Sequence, residues 1–228
     1  MLNATFAANT RCYCGVSVRV HTRSGIVLVA KPQLNDRIHL YTATHITVYG
    51  GKRMNIFTLE RDSTGNPCPY RSAESQCDKH IPKMFLEAYQ MIGSALRRHG
   101  ATDEDMPLTQ KGHPLKGGYH NHPCTRWAGD SQDNFVWLCE HAFALHTEFN
   151  FRFGKDHYCF DGLMQMWNMS WFIPAGPLTQ HPQAMPEQYR IPDDSVRAYR
   201  RYYINDKARF AKWERGRQAP IWFRSTTP

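Results

Sequence analysis

Four ionisable side chains crowd one short stretch of this 228-residue chain: Asp78, Lys79, His80 and Lys83. Lys79 and Lys83 stand four apart, so a helical turn would make them neighbours. An amine beside another cation loses its proton more easily and becomes a nucleophile; it can then attack C1′ of a deoxyribose and form a Schiff base. Asp78 would orient one ammonium or stabilise an oxocarbenium-like sugar, with His80 between the two lysines. Those are the groups a bifunctional DNA glycosylase and lyase needs. The same four residues also read as the solvated cap of a helix start.

Other groupings were weighed beside this one. Cys77 with His80, or Cys124 with His122, has the composition of a thiol nucleophile and its base, although cysteine is more often a small buried residue. His120-Asn121-His122 brings to mind an HNH nuclease, whose residues are in fact spread over a larger unit. A zinc set drawn from His120, His122, Cys124 and His157 lacks any standard ligand spacing, as does the C-x-C pair Cys12 and Cys14. No metal and no cofactor is therefore expected.

The elements that must position these groups follow from periodicity. Phe85, Ala88, Tyr89, Ile92 and Leu96 recur at steps of three and four and predict a helix over about 82–98. Pro82 suits its first turn. Gly100 closes it after the basic run Arg97, Arg98 and His99. A second, longer helix is predicted from an N-cap at Ser131, with Phe135, Leu138, Ala142, Leu145 and Phe149 as its apolar stripe and Gly154 beyond its end. Residues 157–169 read as a shorter helix whose Met164, Met166, Trp167 and Met169 fill the core. Residues 54–59 read as extended, 62–71 as a turn-rich loop, 101–118 as a long loop and 172–192 as a proline-rich wrapping segment.

A last helix is predicted from a cap at Asp194 to about Trp213. From Arg190 to the end the chain carries ten Arg or Lys against four acids. Tyr199, Tyr202, Tyr203, Phe210 and Trp213 interleave there with Arg197, Arg200, Arg201, Lys207, Arg209 and Lys212. Basic groups neutralise phosphates while aromatic faces stack on bases. The competing reading is a terminal helix docked by its aromatics with its charges in water.

The formal net charge is +8, which favours a polyanionic partner. Double-stranded DNA is the expected one, and no obligate protein partner is evident. No apolar run is long enough to span a membrane, and no signal-peptide core is present. Seven cysteines without a repeated spacing do not form a secreted disulfide framework. The expected location is the cytoplasm of a bacterial or phage-infected cell. Residues 1–53 differ in composition, with β-type runs at Ile26–Val29 and His39–Tyr49. They read as a β-type or weakly ordered extension, or as an over-long start ahead of Met54. Residues 54–228 form the predicted domain.

The order of motifs within 54–223 is distinctive: M-N-I-F; C-D-K-H-I-P-K-M-x-L-E-x-x-Q-M; N-H-P-C-x-x-W; W-L-C-E-H-x-x-A-L-x-x-E-F-x-x-R-x-G-K-x-H; A-Y-R-x-Y-Y-I-x-x-K-A-R-F-A-K-W; and P-x-W-F. This resembles a phage-type set similar to the pyrimidine-dimer DNA glycosylases, the endonuclease V family. The resemblance implies a mainly α, compact, single helical domain that grips duplex DNA, extrudes a nucleotide and cleaves the glycosidic bond and then the backbone without a metal. Lys79-His-Ile-Pro-Lys83 matches in spacing the family's Arg-Glu-Leu-Pro-Arg segment. That makes Lys79 and Lys83 phosphate-contacting cations and puts His80 where the family has its catalytic carboxylate. The family's attacking N-terminal amine corresponds to Met54, which is internal here, so a lysine would have to replace it unless the chain starts at Met54.

The residues expected to carry catalysis are thus Lys79, His80, Asp78 and Lys83. Those expected on DNA are Asn121, His122, Arg126, Trp127, Arg152, Lys155, His157, Arg200, Arg201, Tyr202, Lys207, Lys212 and Trp213. Trp127, Tyr202 and Trp213 are the candidates to fill the gap left by an extruded base. An N-glycosylase and abasic-site lyase acting on damaged or modified pyrimidines is the first reading. A non-catalytic DNA-binding protein of the same fold, or a phage enzyme that modifies DNA bases, is the alternative.

Overall fold

Residues 54–225 are described by the computed structural model, together with the backbone pairing of two short strands, β1 (His21–Thr22) and β2 (Gly25–Ile26), which run antiparallel. The β-type run at 39–49, Val27–Val29 and the Cys12/Cys14 pair lie outside the described residues. The chain divides into two units, Met1–Lys52 and Arg53–Pro228. The second is mainly helical: α1 (Pro69–Glu74), α2 (His80–Arg98), α3 (Pro123–Ala128), α4 (Gln132–Phe153), α5 (Phe160–Trp167), α6 (Ser195–Tyr202) and α7 (Ile221–Arg224).

Two helices form the centre. The predicted stripe of α2, from Phe85 to Leu96, is buried, and so is that of α4, from Phe135 to Phe149. They pack on each other, and α4 also carries α1. Local chemistry sets the ends of α4. The Ser131 hydroxyl accepts the Asn134 N–H at 3.2 Å, and Gly154 takes the left-handed conformation (φ 67°) that a Cβ would penalise. The N-terminal half of α2 starts two residues earlier than predicted. Pro82 becomes its third residue, still inside the first turn, where a missing N–H leaves no intrahelical bond unmade.

Residues 54–59 form no regular element and are wholly buried, a plug whose Thr58 N–H turns back to the Ile56 carbonyl at 3.0 Å. Side chains bind part of its backbone: Glu87 accepts the Asn55 N–H, and the Ser72 hydroxyl accepts the N–H groups of Leu59 and of Glu60 just beyond it. Within the predicted 62–71 loop a short helix forms instead. Cys68 caps α1 through its sulfur, and Pro69 begins it. The 101–118 loop is fastened to the end of α2, where Arg97 donates to the Leu115 carbonyl and pairs with Asp103. The 172–192 segment crosses the start of α4, with Ser131 donating to the Pro177 carbonyl and Asn134 accepting from Thr179.

The last helix is shorter than predicted. Its regular part ends at Tyr202 and relaxes into a π-turn, Tyr203–Lys207. Asn205 donates its side-chain amide to the Arg201 carbonyl, the acceptor its own backbone N–H would take in a continuing helix. Tyr199, Tyr202 and Tyr203 are buried while Arg197 and Arg201 are exposed. The docked-helix reading of this segment is the one observed.

Several histidines are buried in neutral surroundings. Burial pushes His80 and His181 down to about 3 and His141 and His157 down to about 4. His141 shows the neutral form directly: Nδ1 faces the Pro69 carbonyl at 2.8 Å and must donate, which leaves Nε2 to accept from Gln76 at 3.2 Å. Because these folded-state values are depressed, the unfolded chain alone takes up protons as pH falls below about 6.5. Stability is complete above that pH and declines down to the folded values. Each histidine contributes a slope of about 1.4 kcal/mol per pH unit in that window. Urea unfolding followed by circular dichroism should therefore show the midpoint falling between pH 6.5 and pH 4 (bounds from the reference histidine value and the shifts above). Replacing His141 by Gln should flatten the dependence.

Candidate active site

At the entrance to α2, Lys83 is half exposed and its Nζ lies 3.0 Å from Glu87 Oε1. Glu87 is one turn further along the same helix and its side chain is only 13% exposed. Its other oxygen accepts the Asn55 backbone N–H at 3.3 Å. Burial pushes the Glu87 carboxyl up, and Lys83 works against that shift. An accessible lysine and a mostly buried carboxyl in polar contact are therefore held between α2 and segment 54–59. The Asn55 Oδ1 beside them is buried and has no partner.

Glu87 was missed by sequence reasoning, which looked for the carboxylate at position 80. The signal was present, since Lys83 and Glu87 are an i,i+4 pair on one predicted helix. What hid it was that an acid on an amphipathic helix usually faces water. Its burial comes from residues 54–59, which cover that side of α2.

His80 is not a surface group. It is 4% exposed, stacks on Phe57 with centroids 4.7 Å apart, and meets the edges of Tyr203 and Phe210. The Tyr203 hydroxyl accepts the Cys77 N–H at 2.9 Å and is hydrogen-bonded to His80 Nδ1 at 2.7 Å. Burial is the first cause of its depressed pKa, and Lys83, Lys207 and Lys79 reinforce it. His80 is thus a neutral packing residue and supplies no carboxylate-like charge. Asp78 does not orient a lysine either. It accepts from Arg152 at 3.0 Å and from the Glu214 backbone N–H at 2.7 Å.

Arg152 was expected on DNA, but its side chain is fully buried. It donates to Glu148, Asp78 and the carbonyls of Gln76 and Glu74, so no donor is left for a phosphate. Trp127 is buried against Trp137 and His181, and its indole points at the Thr179 carbonyl. His157 is enclosed by Phe85 and Phe149, and Tyr202 is buried beside Phe57 and Tyr189. Neither Trp127 nor Tyr202 is free to fill a gap in a base stack. His122 caps α3 by accepting the Cys124 N–H. Arg200 is held by the Leu59 carbonyl and Glu60. Trp213 is half-buried against Tyr203 and Phe223.

The remaining candidates face solvent, except Lys207, whose side chain is only 15% exposed. Lys79 lies over the Phe210 ring at 4.9 Å, and Arg209 over the same ring at 5.4 Å. Lys207 sits against Asp206 and Tyr202, and Lys212 against Glu214. Asn121, Arg126, Lys155 and Arg201 are exposed. Lys79, Lys83 and Lys207 all act electrostatically on His80, so these three cations share one neighbourhood. The thiol pairs do not survive: Cys77 and Cys124 are fully buried, and burial holds the Cys124 thiol up at about 12. Among the described residues no three His, Cys, Asp or Glu side chains converge on a point that could hold a metal ion, so His120, His122, Cys124 and His157 form no such set. No helix among them is long and apolar enough to cross a membrane.

Comparison with protein-family models, with curated proteins and with solved structures gave no match. The resemblance to the pyrimidine-dimer glycosylases therefore rests on the motifs.

Lys79 and Arg152 separate the two roles that basic residues play here. Arg152→Ala leaves Asp78 without its cation, Glu148 with Arg217 alone and the Gln76 and Glu74 carbonyls without this donor, and should cost about 3–5 kcal/mol in urea unfolding. Lys79→Ala should change stability by no more than about 0.5 kcal/mol.

Proposed function

We propose that this chain is a DNA N-glycosylase and abasic-site lyase acting on damaged or modified pyrimidines in duplex DNA, with Lys83 as its amine nucleophile and Glu87 as its acid and base. The observation that carries this reading is the 3.0 Å contact between an accessible lysine and a carboxyl that burial pushes up. Transfer of the ammonium proton to Glu87 yields a neutral amine beside a neutral acid, the pairing that attack on a sugar requires.

The steps balance with water as the only co-reactant. The Lys83 lone pair attacks C1′ as the glycosidic bond breaks, and the base leaves with that electron pair and takes up a proton. Protonation of the ring oxygen by Glu87 opens the sugar to the imine. The resulting carboxylate removes a C2′ proton and the 3′ phosphate is eliminated. Water then hydrolyses the imine and restores the lysine. Lys79, Arg201 and Lys212 are the solvent-facing cations available to hold the backbone. A chain beginning at Met54 would place an N-terminal amine next to Asn55, whose backbone nitrogen bonds the same Glu87. Glu87 serves either amine.

A non-catalytic DNA-binding protein is the second reading. It is favoured by His80 and Asp78, two members of the expected catalytic set, being engaged in packing and bracing. Borohydride trapping on an abasic duplex decides between the readings. The expected result is a covalent adduct that maps to the Lys83 peptide and is lost in Lys83→Gln. Glu87→Gln should slow strand cleavage by about 100-fold or more while duplex binding persists. Salt-dependent binding with no adduct in any form of the chain would leave the second reading standing. An adduct on the N-terminal amine of a Met54-started chain would move the nucleophile there.

A further inference from the structure

A second polar site lies between α1 and the C-terminal segment. It is a cleft of about 750 Å³ whose walls include Arg71, Arg200, Arg217, Glu60, Glu74 and Trp222. That volume falls within the usual range for small-ligand sites. Three arginines face two glutamates, so the lining carries one positive charge in excess.

The hydrogen bonding shows which groups remain open. Glu60 is saturated, accepting from Ser75, Trp222 and Arg200 at 2.6–2.9 Å. Arg217 is engaged by Glu74 at 2.8 Å and by Glu148 at 2.6 Å. Arg200 has its Nε and Nη2 occupied and its Nη1 unengaged. Arg71 is exposed on the last turn of α1, and its guanidinium makes no hydrogen bond or ion pair among the described residues. A planar, permanently charged fork without a partner is suited to bidentate contact with a phosphate.

The wall beside these donors is aromatic. The Trp222 indole is fixed by its bond to Glu60, by the Arg200 guanidinium 5.4 Å from its ring and by the edge of Tyr203. Next to it Ile221 is 76% exposed. A rigid indole beside free guanidinium donors fits a ligand with both a planar ring and an anionic group. Glu74 pairs through Oε1 and leaves Oε2 as an acceptor for a ring N–H.

From these residues we infer that the cleft binds a nucleotide unit, with its phosphate on Arg71 and Arg200 and its base against Trp222. The inference does not depend on the glycosylase reading, because neither Lys83 nor Glu87 lines the cleft.

The test follows the indole N–H signals of the full chain by ¹H–¹⁵N correlation spectroscopy, with the Trp222 signal assigned from Trp222→Phe. Deoxynucleoside monophosphates, the matching nucleosides, inorganic phosphate and a short single-stranded oligonucleotide are titrated separately, and no duplex or lesion is present. Monophosphates should move the Trp222 signal at about millimolar concentration, with nucleoside or phosphate alone at least about tenfold weaker. Arg71→Gln should weaken the response about tenfold with an unchanged thermal melt, since the Arg71 guanidinium makes no hydrogen bond or ion pair among the described residues. A stronger response to the oligonucleotide assigns the site to a strand, and an equal one to free nucleotides; either supports the inference. No movement with any ligand, or phosphate alone matching the nucleotides, overturns it.

Discussion

The Arg152 guanidinium is the constraint on which the rest of the domain depends. It is buried without solvent contact near the end of α4 and reaches two carboxylates and two backbone carbonyls. Those carbonyls, on Glu74 and Gln76, are at the exit of α1, and Asp78 precedes α2. Asp78 is itself bonded to the backbone at Glu214, and its own N–H donates to the Lys212 carbonyl. One side chain thus ties together the end of α1, the entrance of α2, α4 and the C-terminal tail. A buried charge of this kind adds little net stability compared with an apolar replacement, yet removing one partner is severe. Its value lies in register, since only one arrangement of these four segments satisfies every donor.

That register positions the candidate chemistry. With Asp78 pinned, Lys79 and Lys83 emerge on the solvent side of α2 while His80 turns inward onto Phe57. Segment 54–59 then closes over the flank of α2 and buries Glu87, although Lys83, one turn away, stays half exposed. The unequal burial matters more than the contact itself. A fully solvated Lys–Glu pair is ionic and nearly neutral in energy. Withdrawing only the carboxyl from water raises the cost of its charge and pushes its pKa up, against the pull of Lys83.

The parts of this fold legible in the sequence were those with long periodicity or strong capping chemistry. The stripes of α2 and α4, the Ser131 cap and the left-handed Gly154 needed no tertiary information. What could not be read was decided by which surface covers which. Nothing in the local pattern distinguishes Arg152, buried among carboxylates, from Arg201, exposed to water. Trp127, Tyr202 and His157 have the composition of a nucleic-acid surface, and tertiary packing put them inside. Helix α1 is too short to show a period, so Pro69 read as a turn residue although it also suits a first helical position. Glu87 lay within reach as the i,i+4 partner of Lys83, but its burial depends on a segment some thirty residues earlier in the chain.

These placements change what the charge surplus means. Arginine and lysine are used differently here, in keeping with their shapes. Arg97, Arg152, Arg200 and Arg217 are multidentate cross-links, each donating to carboxylates or carbonyls from distant parts of the chain. Lys79, Lys155 and Lys212 stand outside, as compact charges on flexible stems. An internal arginine paired with an acid leaves no net field. Residues 1–53 carry seven Arg or Lys against one acid, so most of the surplus lies outside the described residues; within them, the charge open to a polyanion is the solvent-facing set, mainly the lysines together with Arg126, Arg201 and Arg209. Lys79 and Lys83 belong to that set at the mouth of α2, while Lys207 beside them is mostly covered and paired with Asp206. Under the proposed function, attraction of a phosphate backbone and the amine nucleophile would draw on the same exposed lysines, Lys79 and Lys83.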